Sequence, residues 1–118
     1  MNAITIYHNP HCSNSRGALA LIREAGIEPQ IIDYLADPPD RATLLRLIRA
    51  TGQPVRTLMR EKEAVFIELG LANPALSDDA LIDALLAHPV LINRPIVVSP
   101  KGTRLCRPPE LVKDLLPG

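Results

Sequence analysis

Cys12 is the residue of this chain best placed to do chemistry. It follows a short apolar run, Ile4-Thr5-Ile6-Tyr7, and a polar stretch, His8-Asn9-Pro10-His11, and it precedes a segment in which Ala18, Leu21, Ile22 and Ala25 recur at helical spacing. A cysteine at such a junction lies at a helix N-terminus, where unpaired N–H groups and the positive dipole end favour thiolate over thiol. His8 and the hydroxyls of Ser13 and Ser15 are near enough in sequence to add charge or hydrogen bonds. Placement and polar neighbours together read as a nucleophilic thiol rather than a small loop residue.

The spacing around it narrows the reaction. In Cys12-Ser13-Asn14-Ser15 a hydroxyl occupies the place of the second thiol of a CxxC motif, so a mixed disulfide on Cys12 has no local resolving thiol and must be cleared by an external one. A Cys-x5-Arg phosphate-binding loop is absent, because its arginine would fall on Ala18. His8, His11 and Cys12 crowd one turn, while His88 and Cys106 fall in no paired ligand spacing, so no metal site is expected.

The elements that must position Cys12 can be read from periodicity and punctuation. A strand over Ile4 to Tyr7, a helix from about Cys12-Ser13 closed by Gly26, and a strand over Gln30 to Tyr34 make a βαβ unit with parallel strands. Pro38-Pro39 breaks the chain. Asp40 then caps a helix to about Ala50, a further helix is expected over Thr57 to Leu69, and Ser77 caps another that stops before Pro89. Pro95 to Val98 reads as a buried strand, Ser99 to Thr103 as a turn, Arg104 to Arg107 as a second strand, and Pro108-Pro109 opens a terminal helix. A βαβ half and a ββα half, with a cysteine at the first helix start, is the thioredoxin-like α/β arrangement. The helices between about 40 and 88 form an insertion within a single domain. In such folds the proline at the strand entry, here Pro95, faces the active cysteine. The Arg94-Pro95 bond is therefore a candidate for the cis form, with the Arg94 guanidinium turned toward the same pocket. The plainer alternative is an exposed arginine before an edge strand. Arg60 and Arg107 do not stand out by spacing.

Composition sets outer bounds. The chain has 118 residues, 47% of them hydrophobic and 22% charged, with thirteen basic and thirteen acidic side chains. One folded domain is expected, with no basic excess for nucleic acid or a membrane surface. Aromatics are only 3%, which disfavours base stacking. Two cysteines are too few for a disulfide scaffold. With no signal-peptide pattern and no long apolar run, a soluble cytoplasmic protein is expected.

Four segments carry a resemblance over essentially the whole chain: Tyr7-His8-Asn9-Pro10, Cys12-x-x-Ser15-Arg16, Leu91 through Val98, and Gly102 through Pro108. In these the chain resembles the glutathione/glutaredoxin-coupled arsenate reductases. The resemblance implies that Cys12 attacks arsenate, that Arg60, Arg94 and Arg107 bind the oxyanion, and that Pro95 supports the site. It also implies that His8 helps to keep the thiol ionised and that Ser15 supplies a nearby hydroxyl. Cys106 matches a family cysteine not required for the chemistry, and a buried strand role suits it. Further implications are glutathione as co-substrate, glutaredoxin as partner, no tightly bound cofactor, and phosphate or sulfate as competing anions. Two other groups share parts of the pattern. Spx-like regulators, which bind RNA polymerase, generally switch through CxxC, against which Ser15 argues. Shorter paralogues share the Arg107-Pro108-Pro109-Glu110 ending and leave open a glutathione-dependent thiol oxidoreductase that does not act on arsenate.

Overall fold

A computed structural model describes residues 4–117. The chain divides into two compact units, one built from Met1–Asp37 with Arg94–Gly118, the other from Pro38–Asn93. The inserted unit is slightly longer than the 40 to 88 expected from the helices alone, because the segments flanking them belong to it.

In the first unit, strand β1 (Thr5–His8) leads into helix α1 (Ser13–Glu24), and the chain returns in β2 (Gln30–Asp33). After the insertion come β3 (Ile96–Ser99) and β4 (Gly102–Leu105), then a 3-10 helix over Pro109–Leu115. The sheet order is β2-β1-β3-β4. β1 and β2 are parallel, from Thr5↔Gln30 to His8↔Asp33, as a helical crossover requires. β3 is antiparallel to both β1 and β4. This is the thioredoxin-like βαβ…ββα arrangement. Ile4 and Ile6 face a core with Ala18, Leu19 and Ile22 of α1, together with Val97, Cys106, Val112 and Leu115. Each large aliphatic chain buried there contributes roughly 1.5–3 kcal/mol. Just past the Ala25 cap, the chain leaves α1 through Gly26, whose φ of 81° favours a residue without Cβ.

Two expectations shift here. The hairpin is tighter than the five turn residues expected: Ser99 pairs with Gly102 across Pro100-Lys101, and Gly102 adopts φ 141°. The terminal helix is 3-10 rather than α. At three residues per turn, Pro109, Val112 and Leu115 align along one edge, and Val112 and Leu115 are buried on it.

In the second unit, helix α2 (Arg41–Thr51) begins at Asp40, whose carboxylate accepts the Thr43 N–H at 2.8 Å. Helix α4 (Asp78–Ala87) begins at Ser77, whose Oγ accepts the Ala80 N–H. Arg41 pairs with Asp79 and Asp83 of α4. The continuous helix expected over Thr57 to Leu69 does not form. A 3-10 turn at Val55–Leu58 gives way to an extended stretch, and only a short helix α3 (Ala64–Glu68) follows. The reason is tertiary: Met59 bridges Ile92, Arg60 N–H donates to Leu91 O, and Asn93 N–H donates to Leu58 O, all of which draw the backbone out of helical geometry. Among the described residues, no helix is long and apolar enough to cross a membrane.

Candidate active site

Cys12 is the N-cap residue of α1, with extended backbone angles (φ −99°, ψ 123°). The loop before it is held by Asn9. The Asn9 carbonyl accepts the Cys12 N–H at 3.0 Å, its Oδ1 accepts the His11 N–H at 2.9 Å, and its Nδ2 donates to the buried Tyr34 hydroxyl at 3.4 Å. These bonds fix the turn that delivers the sulfur to the helix start.

Opposing effects act on that sulfur. Burial pushes the thiol up; the backbone N–H groups of Ser15 and Asn14 and the guanidiniums of Arg94 and Arg107 pull it down, and they win. The net shift is below the ordinary value, so the thiolate is favoured. Arg107 Nη1 lies 3.8 Å from Sγ and also donates to the Arg94 carbonyl at 2.9 Å. With its amide oxygen turned toward these donors, Asn14 accepts from Arg107 Nη2 at 3.2 Å and from Nη1 at 3.3 Å. The segment after Arg107 is pressed onto α1: a Cβ on Gly17 would stand only 3.0 Å from Pro109 Cγ. That close approach sets Arg107 beside the first turn of the helix.

The structure thus brings Cys12, Ser15, Arg94 and Arg107 together, but two of the expected contributions take a different form. The Ser15 hydroxyl is fully buried and accepts the Asn9 N–H at 3.0 Å, so Ser15 acts on the sulfur through its backbone amide while its side chain braces the loop. Burial pulls His8 below 6.5; Asp33 opposes this, and Arg23 and Arg16 reinforce it. The imidazole is therefore neutral at pH 7, its Nδ1 buried without a hydrogen-bond partner. The charge beside the thiolate comes from the arginines rather than from an imidazolium. The Arg94-Pro95 bond is cis, and so is Arg107-Pro108, which the sequence did not flag. Pro95 is fully buried, and its carbonyl accepts the Cys106 N–H.

Arg60 lies in the second unit, where its Nε donates to Glu63 Oε1 at 3.1 Å. Cys106 is buried, and desolvation pushes its thiol up to about 12, which leaves it inert as a nucleophile at neutral pH. Among the described residues, no cluster of three or more His, Cys, Asp or Glu side chains is placed to hold a metal ion. A groove of about 660 Å³ flanks α1 with His8, Pro10 and Arg16 in its wall, but Cys12 is not part of that wall. What marks the site is the set of groups aimed at one sulfur. Sequence reasoning passed over Asn9 and Asn14. The signal for Asn9 was an Asn-Pro pair between strand and helix, where a side-chain amide can bond nearby backbone; for Asn14 there was none.

A thiolate beside two fixed guanidiniums can accept a tetrahedral oxyanion, because the cations offset the repulsion between nucleophile and anion and offer forked donors to its oxygens. Likeness to known proteins is extensive in both sequence and fold. An arsenate reductase of Rhizobium meliloti (strain 1021) is 59% identical over 114 residues, covering 97% of this chain and 81% of that protein. A protein of Escherichia coli (strain K12) named YfgD, uncharacterized, is 46% identical and covers 96% of both chains. The solved structure of an arsenate reductase from Vibrio cholerae superposes with a TM-score of 0.93 at 48% identity, over 98% of each chain. The ArsC family model matches residues 7–115. On its fold, its sulfur site and these likenesses, the chain belongs to the ArsC family.

Proposed function

We propose that this protein reduces arsenate to arsenite, with Cys12 as the nucleophile. The observation that carries this reading is the Cys12 sulfur, held toward its thiolate by the Asn14 and Ser15 amides and by Arg94 and Arg107. The relatives named arsenate reductase support the substrate. The thiolate displaces water from protonated arsenate, forming an S–As(V) bond. A glutathione thiolate then attacks the Cys12 sulfur. The S–As pair stays on arsenic, which leaves as As(III), while the two sulfurs join in a disulfide. Ser15 leaves Cys12 without a local resolving thiol, so glutaredoxin clears that disulfide. Arg94 and Arg107 hold the anion, and Arg60 is the third oxyanion arginine by its match to the family motif. Neutral His8 is suited to accept or donate a proton near the site rather than to supply charge. Phosphate and sulfate compete for the arginines, and the reaction takes place in the cytoplasm with no tightly bound cofactor.

The test is arsenite production from arsenate with glutathione and glutaredoxin, beside a thioredoxin-only control and Cys12→Ser. The expected result is turnover in the first mixture alone and none from the variant, since a serine hydroxyl is un-ionised at neutral pH. Arsenite from Cys12→Ser would overturn the nucleophile. Reduction of a glutathione mixed disulfide without any arsenite would instead favour a thiol oxidoreductase acting on other substrates.

A further inference from the structure

We propose that Asn14 is a positioning residue, holding the Arg107 guanidinium in register with the Cys12 thiolate through its side-chain amide. Arg107 reaches the sulfur at 3.8 Å from the far side of a hairpin and is only half-buried, so chain packing does not by itself fix where its planar fork points. Two acceptors do. The Arg94 backbone carbonyl takes Nη1 at 2.9 Å, and the Asn14 side-chain oxygen, with the amide turned to face these donors, takes Nη2 at 3.2 Å and Nη1 at 3.3 Å. Together they clamp one edge of the fork and leave the opposite edge to an incoming oxyanion.

An amide suits this task for an electrostatic reason. An aspartate would hold the fork equally well but would place a carboxylate beside the thiolate and the substrate anion. An alanine would leave the guanidinium tethered on one side only. The amide orients the cation without neutralising it. Asn14 also serves the sulfur by a separate route, its own backbone N–H, which a side-chain substitution leaves in place.

The oxyanion arm of this inference rests on the proposed function, and the thiol arm does not. The experiment compares wild type, Asn14→Ala, Arg107→Ala and the double variant by two readouts. One is the pH profile of Cys12 alkylation by iodoacetamide, together with the protection that added arsenate or phosphate gives against it. The other is KM and kcat for arsenate. For Asn14→Ala the expected result is a roughly 5- to 10-fold rise in KM and in the protecting anion concentration, with kcat changed less than about twofold, as for loss of one hydrogen bond of ordinary strength in a half-exposed site. In the Arg107→Ala background the same change should cost less than about twofold, because the group Asn14 positions is gone. Full additivity in the double variant overturns the proposal, as does an unchanged single variant. Alanine is the better helix former, so α1 should persist in the variant. Asn14→Asp provides a second check: it keeps the acceptors, and its charge should slow alkylation at neutral pH and weaken anion protection. A wild type that makes no arsenite refutes the proposed function, and the alkylation and phosphate-protection cycle still decides the role of Asn14.

Discussion

Replacing Arg107 with alanine tests the electrostatic core of the site. The guanidinium Nη1 stands 3.8 Å from Cys12 Sγ. At that separation a unit charge pair is worth about 4 kcal/mol at an effective dielectric of ~20 and about 1 kcal/mol in bulk water. Both side chains are half-buried, which places the loss nearer the lower figure, about 1–2 kcal/mol. Arg94 and the two amides remain in the variant, so part of the downward pull on the thiol persists. At a pH where the thiol predominates, its ionised fraction should fall by roughly 5–30-fold. The more basic thiolate is also the better nucleophile, with a Brønsted slope of about 0.4–0.5, and this recovers part of the loss. The alkylation rate should therefore drop by only about 2- to 8-fold below the midpoint and should exceed that of the wild type at high pH. Because the Cys12 thiol is held below its ordinary value, the thiolate fraction and the rate fall as pH falls through the midpoint. In Arg107→Ala that midpoint moves up. The assay is iodoacetamide alkylation followed by mass spectrometry across pH. Arg104→Ala is the control, since that guanidinium is engaged with Asp114 at 2.8 Å. A profile for Arg107→Ala that overlays the wild type, with no crossing at high pH, would refute the reasoning.

Cys106→Ser should leave arsenate turnover within about twofold of wild type and cost roughly 1–3 kcal/mol in denaturant unfolding, because a hydroxyl is buried in place of a thiol; loss of turnover in a folded variant would point to a role in the chemistry. In the wild type, the unfolded chain loses the Cys106 proton near 9.0 and the native chain only near about 12. Unfolding thus releases a proton in that window, and stability should fall as pH rises through it. The Cys106→Ser variant should lack that alkaline component, and an identical slope in both proteins would contradict the assignment. Gly17→Ala should gain about 1 kcal/mol of helix propensity but push a Cβ to 3.0 Å from Pro109 Cγ. With an overpacking cost of roughly 1–3 kcal/mol, a net loss of stability and a raised arsenate KM are expected, the latter because Pro109 follows the Arg107 segment. A stabilised variant with unchanged KM would show that the contact yields freely.

Cys12 as a nucleophile was legible in the linear chain because its environment is local: a strand, a loop and a helix start lie within a dozen residues, and the helix amides that stabilise the sulfur come from the next two or three positions. The βαβ unit and the capped helices at Asp40 and Ser77 were legible for the same reason, since hydrophobic period and caps are short-range signals. The helix over Thr57 to Leu69 was misread because Met59 and Arg60 are drawn into pairing with Leu91 and Ile92, about thirty residues on, and no local pattern encodes that partner. The same limit applied to the arginines. Arg94 could be suspected from its proline, whereas Arg107 did not stand out by spacing and was indicated only by the family resemblance; the hairpin and the Pro109 contact with Gly17 are what carry it to Asn14 and the sulfur. The charge state of His8 depends on burial and on Asp33 across the parallel pair, which are properties of packing rather than of spacing. Short-range physics thus marks where the reactive sulfur sits, and long-range packing determines which cations reach it, since a charge acts through distance in space and not through separation along the chain.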